Sequence, residues 1–311
     1  MWCLLVGCAL GGIDVQRMKP ELDRNAKILL AINRELLIMN ADGSNLIQLT
    51  NVESMWASEP SLSPDGKKIA FTGITSECGI DPFGPINCVW VMDADGSEPP
   101  WRLTGPYTSL PSWSPDGKKI AFAREKVDFS GAAESSQFAE IYVTSADGSG
   151  TPERIARCCY EFPTWSPDGK WIAAMRNDDL YVMNPFLARS AYPQIHKLTA
   201  TRMWEGSPSW SPDGTEIAFA RSRPSEQTDI YKIDVKTLRE TRLTNSSEVF
   251  EMHPAWAPDG KEMAFVTTTR FPIVEVYKMN SDGSNPTLIR KIRTTVPRNL
   301  SIRGVWGLEW G

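Results

Sequence analysis

The chain of 311 residues is 41% hydrophobic and 23% charged, a mixture that buries a large core and is too apolar for a disordered chain. Its net charge of −5, with acids and bases interspersed, argues against a nucleic-acid partner, and no apolar run reaches the ~18–20 residues of a membrane-spanning helix. Two distant histidines, His196 and His253, ill suit a His-rich metal site or a His-based triad, whereas 12 tryptophans are an excess whose spacing is informative.

Residues 1–24 carry no periodic pattern and read as an N-terminal tail. Within it, Leu5-Val6-Gly7-Cys8 resembles a bacterial lipobox, in which the cysteine is lipidated. Seven residues precede Cys8 and none is basic, so the leader is truncated relative to a complete signal. The two readings are a lipid anchor at Cys8 and a short apolar tail. The segment Lys27–Thr50 then reads as three strands, with the turn Ala41-Asp42-Gly43-Ser44 and the ending Leu49-Thr50.

An internal repeat begins next. Ser-Pro-Asp-Gly occurs at Ser63–Gly66, Ser114–Gly117, Ser166–Gly169 and Ser211–Gly214, and Ala257–Gly260 is a fifth copy. The copies are 51, 52, 45 and 46 residues apart. Each has a proline three residues earlier (Pro60, Pro111, Pro163, Pro208, Pro254). Trp113, Trp165, Trp210 or Trp256 stands immediately before, with Leu62 in the first copy. An apolar run follows, as in Ile69-Ala70-Phe71. A later strand carries Trp90, Tyr142, Tyr181, Tyr231 or Tyr277, and Leu-Thr recurs at Leu103-Thr104, Leu198-Thr199 and Leu243-Thr244.

One repeat reads as a four-stranded antiparallel sheet. Proline cannot donate to a ladder, which places the Pro-x-Trp strand first and innermost. Asp-Gly supplies residues that tolerate positive φ in the turn. In the second strand, Ile69 and Phe71 face one way and the small Ala70 the other. Such a sheet cannot cover both faces alone, and radial stacking solves this. The N-terminal segment lacks an innermost strand, while Leu308-Glu309-Trp310-Gly311 is an innermost strand with nothing after it. The expected fold is therefore all-β: a six-bladed β-propeller over residues 25–311, closed by the C-terminal strand joining the N-terminal blade. That gives about 48 residues per blade, an ordinary repeat length.

The string Pro-x-Trp-Ser-Pro-Asp-Gly-Lys-x-Ile-Ala-Phe, followed by Ile-Tyr-Val-Met-x-Ala-Asp-Gly-Ser, resembles the TolB-type β-propeller repeat, a relative of WD-type repeats. The resemblance implies a periplasmic protein-binding propeller, here without the α/β domain that TolB carries ahead of it. The repeat also resembles the regulatory propeller of prolyl oligopeptidase-like peptidases, but the chain has no Gly-x-Ser-x-Gly elbow.

The repeat sorts the loops. Ser-Pro-Asp-Gly and Ala-Asp-Gly-Ser turns share one rim, and the more variable loops share the other, where binding function tends to reside. On that rim, Trp56, Tyr107, Trp204 and Phe250 lie six residues before the Trp-type position; the third-blade counterpart is Cys159, with Tyr160 beside it. Arg124, Arg176 and Arg221 end the second strand of three consecutive blades. These aromatics and arginines are the candidate contact ring for a peptide or glycan. The competing reading is packing between blades. Cys78 and Cys88 flank a loop and are the candidate disulfide, the alternative being two reduced thiols. No motif calls for a metal or a cofactor.

These features point to a monomeric, non-enzymatic propeller of the cell envelope, periplasmic or lipid-anchored, that binds a protein or peptide. A glycan lyase or hydrolase working at the channel mouth, drawing on Glu59, Glu161 and Glu205, is the enzyme alternative. A sensor or regulatory propeller of a larger protein is the third reading. An anchored chain takes up labelled palmitate and a Cys8→Ser variant does not; a chain that stays unlabelled leaves the tail reading.

Overall fold

The computed structural model describes residues 27–51, 55–81, 84–126, 138–157, 159–187, 194–201, 203–223, 227–246, 249–270, 273–293 and 305–311. The lipobox cysteine, Cys8, lies outside them. Among the described residues, 24 strands form six four-stranded antiparallel sheets. The innermost strands of the second to sixth blades are Trp56–Leu62, Thr108–Trp113, Glu161–Trp165, Glu205–Trp210 and Phe250–Trp256. The first blade takes its innermost strand from the far end of the chain: Val305–Trp310 pairs with Lys27–Ile32, with Ile28 opposite Trp310 and Leu30 opposite Leu308. Each innermost strand touches its neighbours on both sides, so the ring is closed.

The Ser-Pro-Asp-Gly string forms the expected turn for identifiable reasons. The Ser63 hydroxyl donates to the Asp65 carboxylate at 2.6 Å and accepts the Lys68 N–H at 2.8 Å. The Gly66 N–H donates to the Ser63 carbonyl at 2.8 Å. Gly66 has φ 68°, a conformation that costs a Cβ-bearing residue energy. Ala146 N–H reaches the Lys118 carbonyl at 2.9 Å, so the two families of Asp-Gly turns do share one rim.

Packing follows the expected alternation. Ile69 and Phe71 pack toward the first blade, against Leu29, Ala31, Leu36 and Ile38. Ala70 faces the third blade, where Trp113 and Ile120 fill the space it leaves. Ala218 and Ala220 meet Trp256, Met263 and Phe265 of the next blade in the same way. The Leu-Thr motif has a polar purpose: Thr104, Thr199 and Thr244 each accept a third-strand N–H, at 3.0, 2.8 and 2.9 Å. Thr199 then donates to Glu205 of the following blade at 2.6 Å, tying neighbouring sheets through a satisfied buried group.

A second repeated device stands at the start of the third strand. Glu140, Asp179, Asp229 and Glu275 occupy equivalent, largely buried positions. Each pairs with a cation of its own outermost strand: Arg154 at 3.1 Å, Lys197 at 2.5 Å, Arg242 at 2.6 Å and Lys291 at 2.7 Å. In the second blade this position is Cys88, which is bonded to Cys78 across Cα atoms 6.0 Å apart. A covalent staple thus stands where the third to sixth blades use an ion pair.

Trp310 is 7% exposed and packs with Leu30, Ala264 and Leu308. Trp310→Ala is expected to lower stability by about 3–5 kcal/mol. Urea unfolding with an unchanged slope would measure this.

Candidate functional site

Every innermost strand contains a register irregularity, and in the second to sixth blades the bulge has the same geometry. The ladder register shifts between Ser58 and Ser61, Ser109 and Ser112, Glu161 and Thr164, Gly206 and Ser209, and Met252 and Ala255. The residue before each repeat proline adopts positive φ: Glu59 51°, Leu110 57°, Phe162 52°, Ser207 53° and His253 53°, with Gly307 at 156° in the closing strand. The right-handed helical region is disfavoured before proline, and the unpaired bulge residue is freed from the ladder. All six line a central cavity of about 580 Å³. The repeated backbone therefore presents five different side chains to one channel, with Gly307 at the sixth place.

Two channel residues are acids in unfavourable surroundings. Glu59 accepts from the Thr72 hydroxyl at 2.6 Å and the Leu110 N–H at 3.2 Å. Desolvation, with smaller contributions from Glu125 and Glu161, raises its pKa to about 7. Glu309, on the closing strand, accepts the Leu62 N–H of the next blade, and burial raises it to about 8. Across the channel the Ser207 hydroxyl and His253 Nδ1 are 2.9 Å apart. Around the mouth, Glu125 is raised by desolvation and Glu161, and Glu161 by desolvation and Asp178. Among the described residues no group of three His, Cys, Asp or Glu side chains is placed to hold a metal ion.

The predicted contact residues divide. Trp56 is 39% exposed, with the Arg34 guanidinium 3.6 Å over its ring. Tyr107 is half-buried, its hydroxyl 3.4 Å from Asp81. Trp204 and Phe250 are half-buried as well, and the Trp204 ring covers Gly206, where a Cβ would lie 2.4 Å from it. None of these four lines the cavity; they form a collar outside it. Tyr160 is 1% exposed, one residue beyond the collar position, and its hydroxyl accepts from Arg176 at 3.2 Å. Arg221 is buried between Glu205 at 2.7 Å and Glu240 at 2.6 Å. That ion pair gives both Arg221 and Glu205, an enzyme candidate, a place in blade packing. Arg124 is exposed, 5.7 Å over Tyr142.

The TolB beta propeller domain family matches this chain over residues 140–304. The chain belongs to that family. The uncharacterized peptidase YuxL of Bacillus subtilis is 26% identical over 117 residues, which span 37% of this chain and 16% of the peptidase. TolB from Acinetobacter baumannii superimposes with a TM-score of 0.68 at 18% identity, over 92% of this chain and 66% of TolB. A putative TolB from Agrobacterium tumefaciens gives 0.64 at 22% identity, over 86% and 90%. The chain thus spans about a sixth of the peptidase and 66% of the first TolB.

In this TolB-family propeller the channel residues Leu110, Phe162, Ser207, His253, Gly307 and Glu309 escape a reading by motif. Their one sequence signal is a constant place: Leu110, Phe162, Ser207 and His253 stand beside the repeat proline, four residues before each Asp-Gly turn begins.

Glu59 and Glu309 make stability depend on pH with a definite sign. Folded, they hold protons up to about 7 and about 8, whereas the unfolded chain releases them near 4.5. Their contribution is full below 4.5 and is lost as pH rises through about 7 and 8, because the folded state binds more protons in that window. The melting temperature should fall across it, and Glu309→Gln, which keeps a neutral side chain, should flatten the fall.

Proposed function

We propose that this chain is a non-enzymatic, protein- or peptide-binding propeller of the cell envelope, and that it grips its partner at the channel mouth. One observation carries the reading. Positions that build the blades repeat in type: Pro, Trp, Ala, Asp-Gly. The channel position repeats in backbone conformation in five blades but holds Glu, Leu, Phe, Ser and His in turn, with Gly307 in the closing strand. Packing alone favours the same residue in each blade; varied side chains on a rigid scaffold suit recognition of an asymmetric ligand. The Cys78–Cys88 disulfide supports an oxidising compartment such as the periplasm, and membership of the TolB family agrees with it. Lipid anchoring through Cys8 is a further part of the proposal.

Immobilised chain should retain a specific protein from envelope extracts. A Leu110→Ala, Phe162→Ala double variant should lose about tenfold or more of that retention with its unfolding transition preserved. Retention equal to wild type would remove the channel from the reading.

An enzyme has one observation in its favour, the Ser207–His253 contact in the channel wall. The peptidase name of the YuxL relative suits the regulatory-propeller alternative. Turnover of a peptide or oligosaccharide substrate that disappears in Ser207→Ala would replace the binding reading.

A further inference from the structure

The second family of Asp-Gly turns lies against the preceding blade, and one seam is built differently from the rest. In the first and sixth blades the turn glycine rests on backbone: a Cβ on Gly43 would fall 2.6 Å from the Ile289 carbonyl oxygen, and one on Gly283 2.6 Å from that of Leu243. In the third blade the place of Leu243 belongs to Leu103, from the same Leu-Thr motif. Yet the atoms nearest Gly148 are side-chain atoms, the Trp101 ring at 3.3 Å and Leu103 Cδ1 at 3.8 Å. An indole thus stands in this seam as a spacer. Gly96, in the second blade, meets nothing within 4 Å. Trp101 pairs with Val91 on the outermost strand of the second blade. The residues at the same register place in the other blades are Ile47, Glu153, His196, Thr241 and Thr287.

Behind this spacer the seam holds a cleft of about 710 Å³, within the ~300–1,000 Å³ range of small-molecule sites. Trp113 and Ala146 line it and belong to the apolar cluster of Ala70, Val91 and Ile120. Pro64 and Gly117 meet at its inner end, a Cβ on Gly117 lying 3.8 Å from the proline ring. Trp101, 37% exposed, is part of the wall. Three carboxylates also line the cleft, and each is fixed by its own turn. Asp65 Oδ1 accepts the Ser63 hydroxyl at 2.6 Å and the Lys67 N–H at 3.1 Å. Asp116 Oδ1 accepts the Ser114 hydroxyl at 2.6 Å and the Lys118 N–H at 3.0 Å, and Asp147 Oδ1 the Ser149 N–H at 2.9 Å. Lys68 lines the same cleft, held by Asp93 at 2.7 Å.

This lining selects a class of guest. The carboxylates disfavour an anion, and the Lys68 ammonium already supplies a cation. Acceptors outnumber donors, so the guest that fits is neutral, rich in donors and apolar on one face. A pyranose has all three properties. Its hydroxyls donate to carboxylates, and the slightly positive C–H bonds of one ring face match the negative face of an indole.

We propose that the cleft between the second and third blades binds a neutral saccharide, stacked on Trp101, with hydroxyls donating to Asp116 and Asp147 and accepting from Lys68. The site lies on the rim of the Asp-Gly turns, opposite the collar, and does not depend on the protein-binding reading of the channel.

The test is saturation-transfer NMR on the full chain with cellotriose, maltotriose and chitotriose. Tetramethylammonium and triglycine serve as competing cationic and peptide guests. At least one trisaccharide should receive saturation, most strongly on one ring face, and neither competitor should displace it. Trp101→Ile, which installs the residue of the first blade, should weaken binding about tenfold, as for loss of one aromatic anchor. An Asp116→Asn, Asp147→Asn variant leaves the indole spacer in place and should weaken binding about fivefold, as for lost hydrogen bonds. Both variants should keep the thermal transition of wild type. Phe186→Ala, which removes another exposed ring, should bind as wild type does.

Saturation of none of the three sugars would overturn the proposal, as would undiminished binding by Trp101→Ile. So would a loss shared by Phe186→Ala, which signals stacking on any exposed ring. Displacement by tetramethylammonium or triglycine would assign the cleft to a cation or a peptide instead. Each of these outcomes leaves the channel reading where it stands.

Discussion

The pairing of Val305–Trp310 with Lys27–Ile32 is the contact on which the rest of the molecule depends. Each blade is a twisted sheet with apolar side chains on both faces, so no blade covers itself. Ile69 and Phe71 need the preceding blade and Ala70 the following one. A row of such sheets leaves two uncovered faces at its ends. The closing strand removes both, because it completes the first sheet and sets Leu308 and Trp310 against Ala264 of the sixth blade. It also places Glu309 where its carboxyl takes up the Leu62 N–H, which spans the seam.

Closure also creates the channel, and the bulges decide what the channel displays. The innermost strands converge on the axis, where a regular ladder would send alternate side chains to the two faces of each blade. The extra residue ahead of each proline breaks that alternation and turns one side chain inward in five of the six blades. The same backbone device serves construction and display. Its cost in backbone strain, about 1–3 kcal/mol for each left-handed non-glycine residue, is borne at all five such positions by the surrounding ladder and the fixed proline ring.

Charge is partitioned in step with this geometry. Toward the outer strands, buried carboxylates are matched one for one by Lys or Arg, or replaced outright by the Cys78–Cys88 bond. Toward the mouth, the acids act on one another and two channel acids hold protons near neutrality. Structural ion pairs therefore account for Arg221 and Glu205.

How much of this was legible in the chain depends on the range of the cause. Turn residues, the small alanine against the large tryptophan, the innermost proline strand and the two complementary chain ends are local or periodic signals. They specify six blades and their closure without coordinates. The collar residues Trp56, Tyr107, Trp204 and Phe250 were legible as a repeated place, though not as lying outside the cavity. Tyr160 looked like a collar residue because it neighbours Cys159, but its ring packs into the core between the third and fourth blades, with Ile141 and Trp165. The inward-pointing ring was not legible, because its positive φ arises from a register mismatch between two strands and is written in no residue type. Nor was the contact between Glu309 and Leu62, separated by 247 residues. Local chemistry settles which elements form and in what order. Where a side chain points inside a bulge, and which charge meets which across a closed ring, are settled when distant strands come into register.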